Sequence, residues 1–284
     1  MSDRGKYSNP DVPHEVNVSE KTPLRDFFRL TAGVCLITVC VVAAIFFSAR
    51  WWAPAIPFHY ETAFSRLFTE EKSAVVSPAE EESLQVLQTI ADGLAAKMEL
   101  PAGMAIRMYL IDTKEPNAFA TLGGNVLISR ALIETLHSEN GLAMVIAHEI
   151  AHIKHRDPIV SLGGGVAVAL LLSAFIAGAD GGYLVSWAVG MTQMSFSRPQ
   201  EDRADKEALA ALKACYGHTG GADEFFAYVM KEYPWLSGIP GVFSSHPSPQ
   251  ARLDAIRATF SSAPQNLKPL PESLARLKNS DNST

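Results

Sequence analysis

The sequence of 284 residues is short of cysteine and has no excess of positive charge. Its three cysteines, Cys35, Cys40 and Cys215, do not provide a disulfide framework or a cysteine-based metal site. The formal net charge is −6 and no basic patch stands out, which argues against nucleic acid as a principal partner. The chain also has no internal repeat. Its length therefore indicates one good-sized domain with appendages.

A run of twenty residues near the N-terminus, 30–49, contains no charged side chain. A helix of this length would span about 30 Å, the hydrocarbon thickness of a bilayer. Trp51 and Trp52 follow it, where interfacial aromatic residues are expected. The sequence therefore predicts a transmembrane anchor over 30–49, preceded by a polar tail over 1–29 and followed by a stalk over 50–76.

The positive charges that flank the predicted anchor indicate its orientation. Three of them precede it and one follows it closely: Lys21, Arg25 and Arg29 before it, and Arg50 after it. Positive charge favours the cytoplasmic side, so we expect the tail in the cytoplasm and most of the chain outside. In a bacterium this means a single-pass anchor in the inner membrane, with the lipid bilayer as a partner and the folded domain in the periplasm. The sequence does not indicate an oligomeric state.

The residues His148, Glu149 and His152 form the pattern H-E-x-x-H. On an α-helix the two histidines project from one side about one turn apart, so their imidazoles can bind one Zn²⁺. Glu149 lies beside them and can take a proton from an attacking water without binding the metal. Ser138 as N-cap and Glu139 in the first turn favour a helix here. Two histidines on an ordinary buried helix would give the same spacing. The presence of a third ligand therefore decides whether this helix belongs to a zinc site.

A carboxylate from a separate helix would complete a site of two histidines and one glutamate. Ser197 and Gln200 resemble a capping box that opens a helix near Arg198. On that helix Glu201 and Asp205 lie four residues apart on one face, and Asp205 is placed to accept a hydrogen bond from a ligand imidazole. From spacing alone, two solvated acids on a helix face would fit the sequence equally well.

The region 77–260 is predicted to be an α+β domain that is mostly helical and contains a small β-sheet. A helix is expected from Pro78 to about Lys97. Strands are expected over 105–111, 117–120 and 126–129. Residues 261–284 contain three prolines and end in a polar run, so we expect a flexible C-terminal tail.

A second apolar tract, 159–197, follows the motif and is interrupted by a turn at 180–182. One interpretation is a transmembrane hairpin, which would return the chain to its starting side. The other is a helical hairpin packed on the domain or dipping into the membrane surface. We favour the second, because the second arm is short and the turn lacks the positive charge expected of a cytoplasmic tip.

Four ordered blocks of sequence resemble the membrane-linked zinc endopeptidases typified by HtpX, the Oma-type proteases and the CAAX prenyl proteases. The blocks are E-P-N-A-F-A-T-L-G-G-N-V-L-I-S-R, H-E-I-A-H-I-K-H-R-D, S-R-P-Q-E-D-R-A-D and S-H-P-S-P-Q-A-R-L. The resemblance covers about residues 77 to 260. The chain departs from the HtpX pattern by having one clear N-terminal span, and in this it is closer to the periplasmic or Oma-type branches.

The resemblance implies a zincin-like metallopeptidase domain that binds one zinc ion per chain through His148, His152 and Glu201. Glu149 would be the general base, and Asp205 would support a ligand imidazole. The expected activity is zinc-dependent endopeptidase cleavage of unfolded, damaged or membrane-associated proteins of the bacterial envelope.

Two further residues are candidates for the site. His246 precedes a helix that begins at Pro249, and three roles stay open for it. It could be a fourth zinc ligand that suppresses activity, a donor to the oxyanion, or a structural residue of the turn. Arg252 either steadies the site or pairs with an acid on a helix face.

The predicted strand of Asn117, Ala118, Phe119 and Ala120 is a candidate for aligning an extended substrate by β-augmentation. Such pairing fixes the substrate backbone but few of its side chains, which predicts broad specificity. Two other functions are alternatives to this enzyme. A catalytically silent, zinc-binding scaffold or chaperone-like protein would use the same ligands. A prenyl-peptide protease would need a multi-span chamber, for which the chain is too short.

Overall fold

The computed structural model describes residues 23–69, 78–162, 196–232, 249–260 and 266–280. The chain forms two compact units, residues 1–41 and residues 42–284. Helix α1 (Pro23–Trp52) supplies the described part of the first unit. None of the helices in the described ranges is both long enough and apolar enough to cross a membrane. The transmembrane span predicted over 30–49 is thus not confirmed.

The second unit is mostly helical and carries one small sheet, as the sequence predicts. Its described helices are α2 (Phe58–Thr69), α3 (Pro78–Lys97), α4 (Arg130–Thr135), α5 (Glu139–Lys154), α6 (Arg198–Tyr216), α7 (Glu224–Glu232), α8 (Pro249–Arg257) and α9 (Glu272–Ser280). Its described strands are β1 (Arg107–Ile111), β2 (Ala118–Thr121) and β3 (Asn125–Ser129).

The sheet has the strand order β1-β3-β2. Strand β3 pairs with β1 in parallel and with β2 in antiparallel fashion. The turn between β2 and β3 requires glycine, because Gly124 has a φ of +83° and a Cβ there would lie 2.0 Å from the carbonyl oxygen of Ala105. Within the described residues, β2 lies at the edge of the sheet. The tight turn fixes its position relative to β3.

Helix α5 lies at the centre of the core, and all its residues from Glu139 to Ile153 are buried. It begins where the sequence predicts, since Ser138 Oγ accepts a hydrogen bond from Gly141 N–H at 2.9 Å. Helix α6 packs along it. The buried residues of α6 include Ala204, Ala208 and Ala211, and their small side chains let the two helices lie close together.

Part of the predicted stalk over 50–76 packs against the domain as helix α2. Glu61 on α2 is buried and accepts hydrogen bonds from Arg156 Nε at 2.7 Å and from Gly123 N–H at 3.3 Å. A Cβ on Gly123 would lie 2.5 Å from Ser65 Oγ. Residues 58–69 of the predicted stalk over 50–76 therefore form a helix whose buried acid pairs with Arg156, just beyond the end of the motif helix.

The C-terminal region is also more ordered than the sequence predicts. Glu139 N–H donates to the carbonyl oxygen of Lys268 at 2.8 Å, and Lys268 N–H donates to Asn140 Oδ1 at 2.8 Å. Leu274 and Leu277 of α9 are buried in the core. Residues 266–280 of the predicted tail over 261–284 are therefore packed on the domain, because two leucines three residues apart give α9 an apolar face.

Most of the second apolar tract, 163–195, lies outside the described residues. Before it, Ile159 is buried with Ala53 and Leu122 in a small apolar cluster. The two interpretations of the hairpin over 159–197 therefore stay predictions.

Candidate metal centre

Helix α5 carries the three motif residues, and all three are buried. His148, Glu149 and His152 are 5%, 2% and 0% exposed. The Nε2 atoms of the two histidines lie 3.0 Å apart, as the four-residue spacing predicts for side chains one turn apart. Both ring nitrogens therefore face one point in the interior.

Glu201 meets these histidines from helix α6. That helix begins at Arg198, where the side-chain oxygen of Gln200 accepts hydrogen bonds from the N–H and the hydroxyl of Ser197. Glu201 is 1% exposed, and its carboxylate oxygens lie 3.4 Å from His148 Nε2 and 3.5 Å from His152 Nε2. The structure thus brings together the three predicted metal ligands from two helices.

The geometry of this cluster fits a metal ion. Its ligand atoms all lie within 4.8 Å of one another. In a tetrahedral site with zinc-to-ligand distances of roughly 2.0–2.2 Å, neighbouring ligand atoms lie about 3.3–3.5 Å apart. The separations between Glu201 and the two imidazoles fall in that range, and two imidazoles with one carboxylate are a donor set that zinc accepts. The cluster of His148, His152 and Glu201 could therefore hold one metal ion.

Each imidazole has a carboxylate at its other nitrogen. Asp205 Oδ1 lies 2.9 Å from His148 Nδ1, where the sequence predicts it. Asp157 Oδ2 lies 2.9 Å from His152 Nδ1, and this partner was missed by the sequence analysis. A carboxylate that binds Nδ1 orients the ring and leaves Nε2 available for a metal.

Asp157 reaches His152 because the chain turns sharply after α5. Arg156 adopts a left-handed conformation with a φ of 61°, which is unusual for a residue with a side chain. Asp157 is held there by Gln200 Nε2 at 2.7 Å and by Arg203 Nη2 at 2.9 Å. Burial raises the pKa of this carboxyl, but its contacts with His152, Gln200 and Arg203 outweigh burial and lower it.

Arg252 of α8 ties the two acids of α6 together. Its Nε and Nη2 donate to the carboxylate of Asp205 at 2.7 and 2.6 Å, and its Nη1 lies 2.6 Å from Glu201 Oε2. Of the two roles predicted for Arg252, this arrangement favours steadying the site. The guanidinium also lies over the ring of Phe226, 4.5 Å from its centroid.

The charges of this cluster shift the pKa values of its members. Burial and the charge of Arg252 lower the pKa of His148, but hydrogen bonds to Asp205 and Glu201 outweigh them and raise it to about 9. Burial raises the pKa of the Asp205 carboxyl, but Arg252 and His148 hold it well below its usual range. In the absence of a metal, Asp205 and Glu201 therefore stabilise the protonated form of His148.

Glu149 is oriented by strand β2. The N–H of Ala120 donates to Glu149 Oε2 at 2.7 Å, so the proposed general base and the proposed substrate strand are in direct contact. Ala118, Phe119 and Ala120 belong to β2, and Asn117 immediately precedes it. His246, the remaining candidate, lies outside the described residues.

Comparisons with known proteins place these residues in a wider context. Residues 81–260, more than half of the chain, match peptidase family M48. The matched range includes the cluster His148, His152 and Glu201 together with Glu149.

Individual relatives cover different shares of the chain. The Protease HtpX homolog of Salinibacter ruber is 29% identical over 202 residues, which are 59% of this chain and 71% of that protein. The Protease HtpX homolog of Methylibium petroleiphilum is 32% identical over 206 residues, 58% of this chain and 71% of that protein. The Beta-barrel assembly-enhancing protease of Escherichia coli is 30% identical over 159 residues, 51% of this chain but only 32% of that longer protein.

Proposed function

Since the chain belongs to peptidase family M48 and is a metallopeptidase, we propose that it uses one zinc ion, held by His148, His152 and Glu201, to cleave internal peptide bonds of proteins. The observation that carries this proposal is the convergence of Glu201 on two imidazoles from a different helix. Zinc would supply the Lewis acidity that polarises the scissile carbonyl and makes water more acidic.

Glu149 is the general base in this proposal. Its carboxylate lies one residue from His148 on the same buried helix turn and is oriented by Ala120 N–H. It takes a proton from the attacking water and passes it to the leaving amine. A proton acceptor in a fixed orientation favours this transfer because no side-chain rotation is needed between the two steps.

Strand β2 would hold the substrate. Ser129 N–H donates to the carbonyl oxygen of Asn117, so Asn117 directs its backbone groups towards β3. In an antiparallel pair the direction alternates, and Ala118 and Ala120 therefore direct theirs away from β3. Ala120 uses its N–H on Glu149, while Ala118 is placed to pair with an extended peptide. The substrate would be recognised mainly through its own backbone in an extended conformation. This mode of binding favours unfolded segments as substrates.

The proposed setting is the bacterial inner membrane, with the peptidase domain in the periplasm and unfolded or damaged envelope proteins as substrates. Support comes from the uncharged run 30–49 and from the apolar side chains that α1 exposes, among them Leu36, Ile37 and Phe47. The name of the Escherichia coli relative refers to β-barrel assembly.

The test is cleavage of reduced, unfolded casein by the zinc-loaded full chain in detergent, compared with Glu149→Gln. Glutamine keeps the size and the carbonyl acceptor for Ala120 N–H but cannot take the proton. We expect Glu149→Gln to retain one zinc per chain and to lose cleavage by about 10²–10⁴-fold. Glu134→Gln makes the same change at an exposed position, so it should alter neither the zinc content nor the rate of cleavage.

Zinc-loaded wild type that cleaves no substrate would contradict the proposal. The ion would then be structural, as in the scaffold alternative. Equal cleavage by wild type and Glu149→Gln would contradict the role of Glu149 and leave the metallopeptidase assignment in place.

A further inference from the structure

The conformation of one residue after the motif helix decides whether His152 keeps its carboxylate partner. Arg156 has a φ of 61°, a left-handed conformation that a residue with a side chain rarely adopts. The next residue, Asp157, contacts His152 Nδ1 at 2.9 Å. In a regular helix, a residue five positions after His152 would lie about 140° around the axis and about 7.5 Å along it. Asp157 therefore reaches the imidazole only while Arg156 keeps its left-handed conformation.

The side chain of Arg156 is held by residues that are distant in the sequence. Its Nη2 donates to the carbonyl oxygen of Ile56 at 2.6 Å, and its Nε donates to Glu61 Oε1 at 2.7 Å. Its guanidinium lies over the ring of Phe58, 5.5 Å from the centroid. The first turn of α2 and the segment before it thus provide a carboxylate, a ring and a carbonyl oxygen for one guanidinium. These contacts fix the position of the side chain and, through it, of the backbone of Arg156.

Glu61 is itself fixed on the domain. It is 5% exposed, and its Oε2 accepts a hydrogen bond from Gly123 N–H in the turn between β2 and β3. Helix α2 lies so close to this turn that a Cβ on Gly123 would be 2.9 Å from the Cα of Thr62. Opposite charges that are buried together are costly to separate, so Glu61 and Arg156 are expected to stay paired. The acid therefore joins the sheet to the residue that follows the motif helix.

We propose that Glu61 is a positioning residue of the metal centre. It holds Arg156 in the left-handed conformation and thereby places Asp157 on His152. The inference rests on the proposed zinc site. It makes α2, which precedes the range 81–260 that matches the family, a functional part of the metal centre.

The test measures zinc affinity of the full chain in detergent by competition with a chromophoric chelator. Glu61→Gln keeps the size and the acceptor for Gly123 N–H but removes the charge that pairs with Arg156. We expect zinc affinity to fall by about 10-fold, the lower end of the range for residues that support metal ligands. Glu81→Gln makes the same change at an exposed position of α3, so it should bind zinc as wild type does.

Two further comparisons separate this route from a general loss of packing. Glycine adopts the left-handed conformation readily, whereas alanine does not. Arg156→Gly should therefore bind zinc about 10-fold more tightly than Arg156→Ala, although both variants lack the guanidinium. In a chain that already carries Asp157→Asn, Glu61→Gln should lower zinc affinity little further, because both changes act on the same contact with His152.

Three results would overturn the inference and leave the proposed function in place. They are wild-type zinc affinity in Glu61→Gln, equal affinities of Arg156→Gly and Arg156→Ala, and a full additional loss when Glu61→Gln is combined with Asp157→Asn. If Glu61→Gln does not fold, the comparison of glycine with alanine at position 156 decides. Wild type that binds no zinc would overturn the proposed function and this inference with it.

Discussion

Each imidazole of the candidate metal centre is bound at Nδ1 by a different carboxylate. Asp205 holds His148, and Asp157 holds His152, in both cases at 2.9 Å. The two acids differ in their own partners, because Asp205 is held by Arg252 whereas Asp157 is held by Gln200 and Arg203. The orientation of the two rings therefore depends on two separate networks.

The network of Asp157 gives a prediction. Asp157→Asn keeps the shape of the side chain but removes the charge that fixes the tautomer of His152. We expect zinc affinity to fall by about 10- to 100-fold, measured by competition with a chromophoric chelator. Asp202→Asn is the matched control, because Asp202 lies on the exposed side of α6. Equal affinities in the two variants would show that Asp157 does not support the site.

At this scale the sequence predicts the three metal ligands but only one of the two carboxylates that orient the imidazoles, Asp205. His148 and His152 are four residues apart on α5, and Glu201 and Asp205 are four residues apart on α6. Helical periodicity therefore places each pair on one face of its helix. Asp157 follows His152 by five residues and lies beyond the end of α5. It reaches the imidazole only because Arg156 takes a left-handed conformation, which no residue pattern indicates.

At the scale of elements, the helices and strands that build the site begin and end close to where the sequence places them. Helix α3 spans Pro78–Lys97 as predicted, and β1, β2 and β3 lie within two residues of the expected ranges. Caps and periodicity depend on local contacts, and this explains the agreement. The packing of α2 and α9 was not predicted, because it depends on distant partners, such as Arg156 for Glu61.

The docking of α9 gives a second prediction. Leu274 is fully buried between α9 and the core, whereas Leu267 just before α9 is 42% exposed. We expect Leu274→Ala to lower the free energy of unfolding by about 2–5 kcal/mol. Leu267→Ala should change it by less than about 0.5 kcal/mol. Chemical denaturation followed by circular dichroism measures both, and equal values would mean that α9 does not pack on the domain in solution.

At the scale of the whole molecule, the buried charges link stability to pH. The pKa of His148 is raised to about 9 in the folded, metal-free protein, above its unfolded value of about 6.5. A group whose pKa is raised on folding stabilises the protein fully below the unfolded pKa, and this contribution is lost as the pH rises through the folded value. Metal-free protein should therefore lose stability between about pH 6.5 and pH 9.

This third prediction is measured as a difference between wild type and His148→Gln, both stripped of metal. The difference in the free energy of unfolding should shrink by an amount on the order of 3 kcal/mol between pH 6.5 and pH 9.5. Contributions from groups that titrate independently of His148 cancel in this comparison. A difference that stays constant over that range would mean that His148 does not carry a stabilised proton.

The most direct test of the central claim is the position of the zinc ion in the folded chain. Diffraction data collected on both sides of the zinc absorption edge from zinc-loaded crystals would locate it. We predict one anomalous peak per chain, at roughly 2.0–2.2 Å from His148 Nε2, His152 Nε2 and a carboxylate oxygen of Glu201. A peak elsewhere, or a Glu201 side chain directed away from the two imidazoles, would contradict the account.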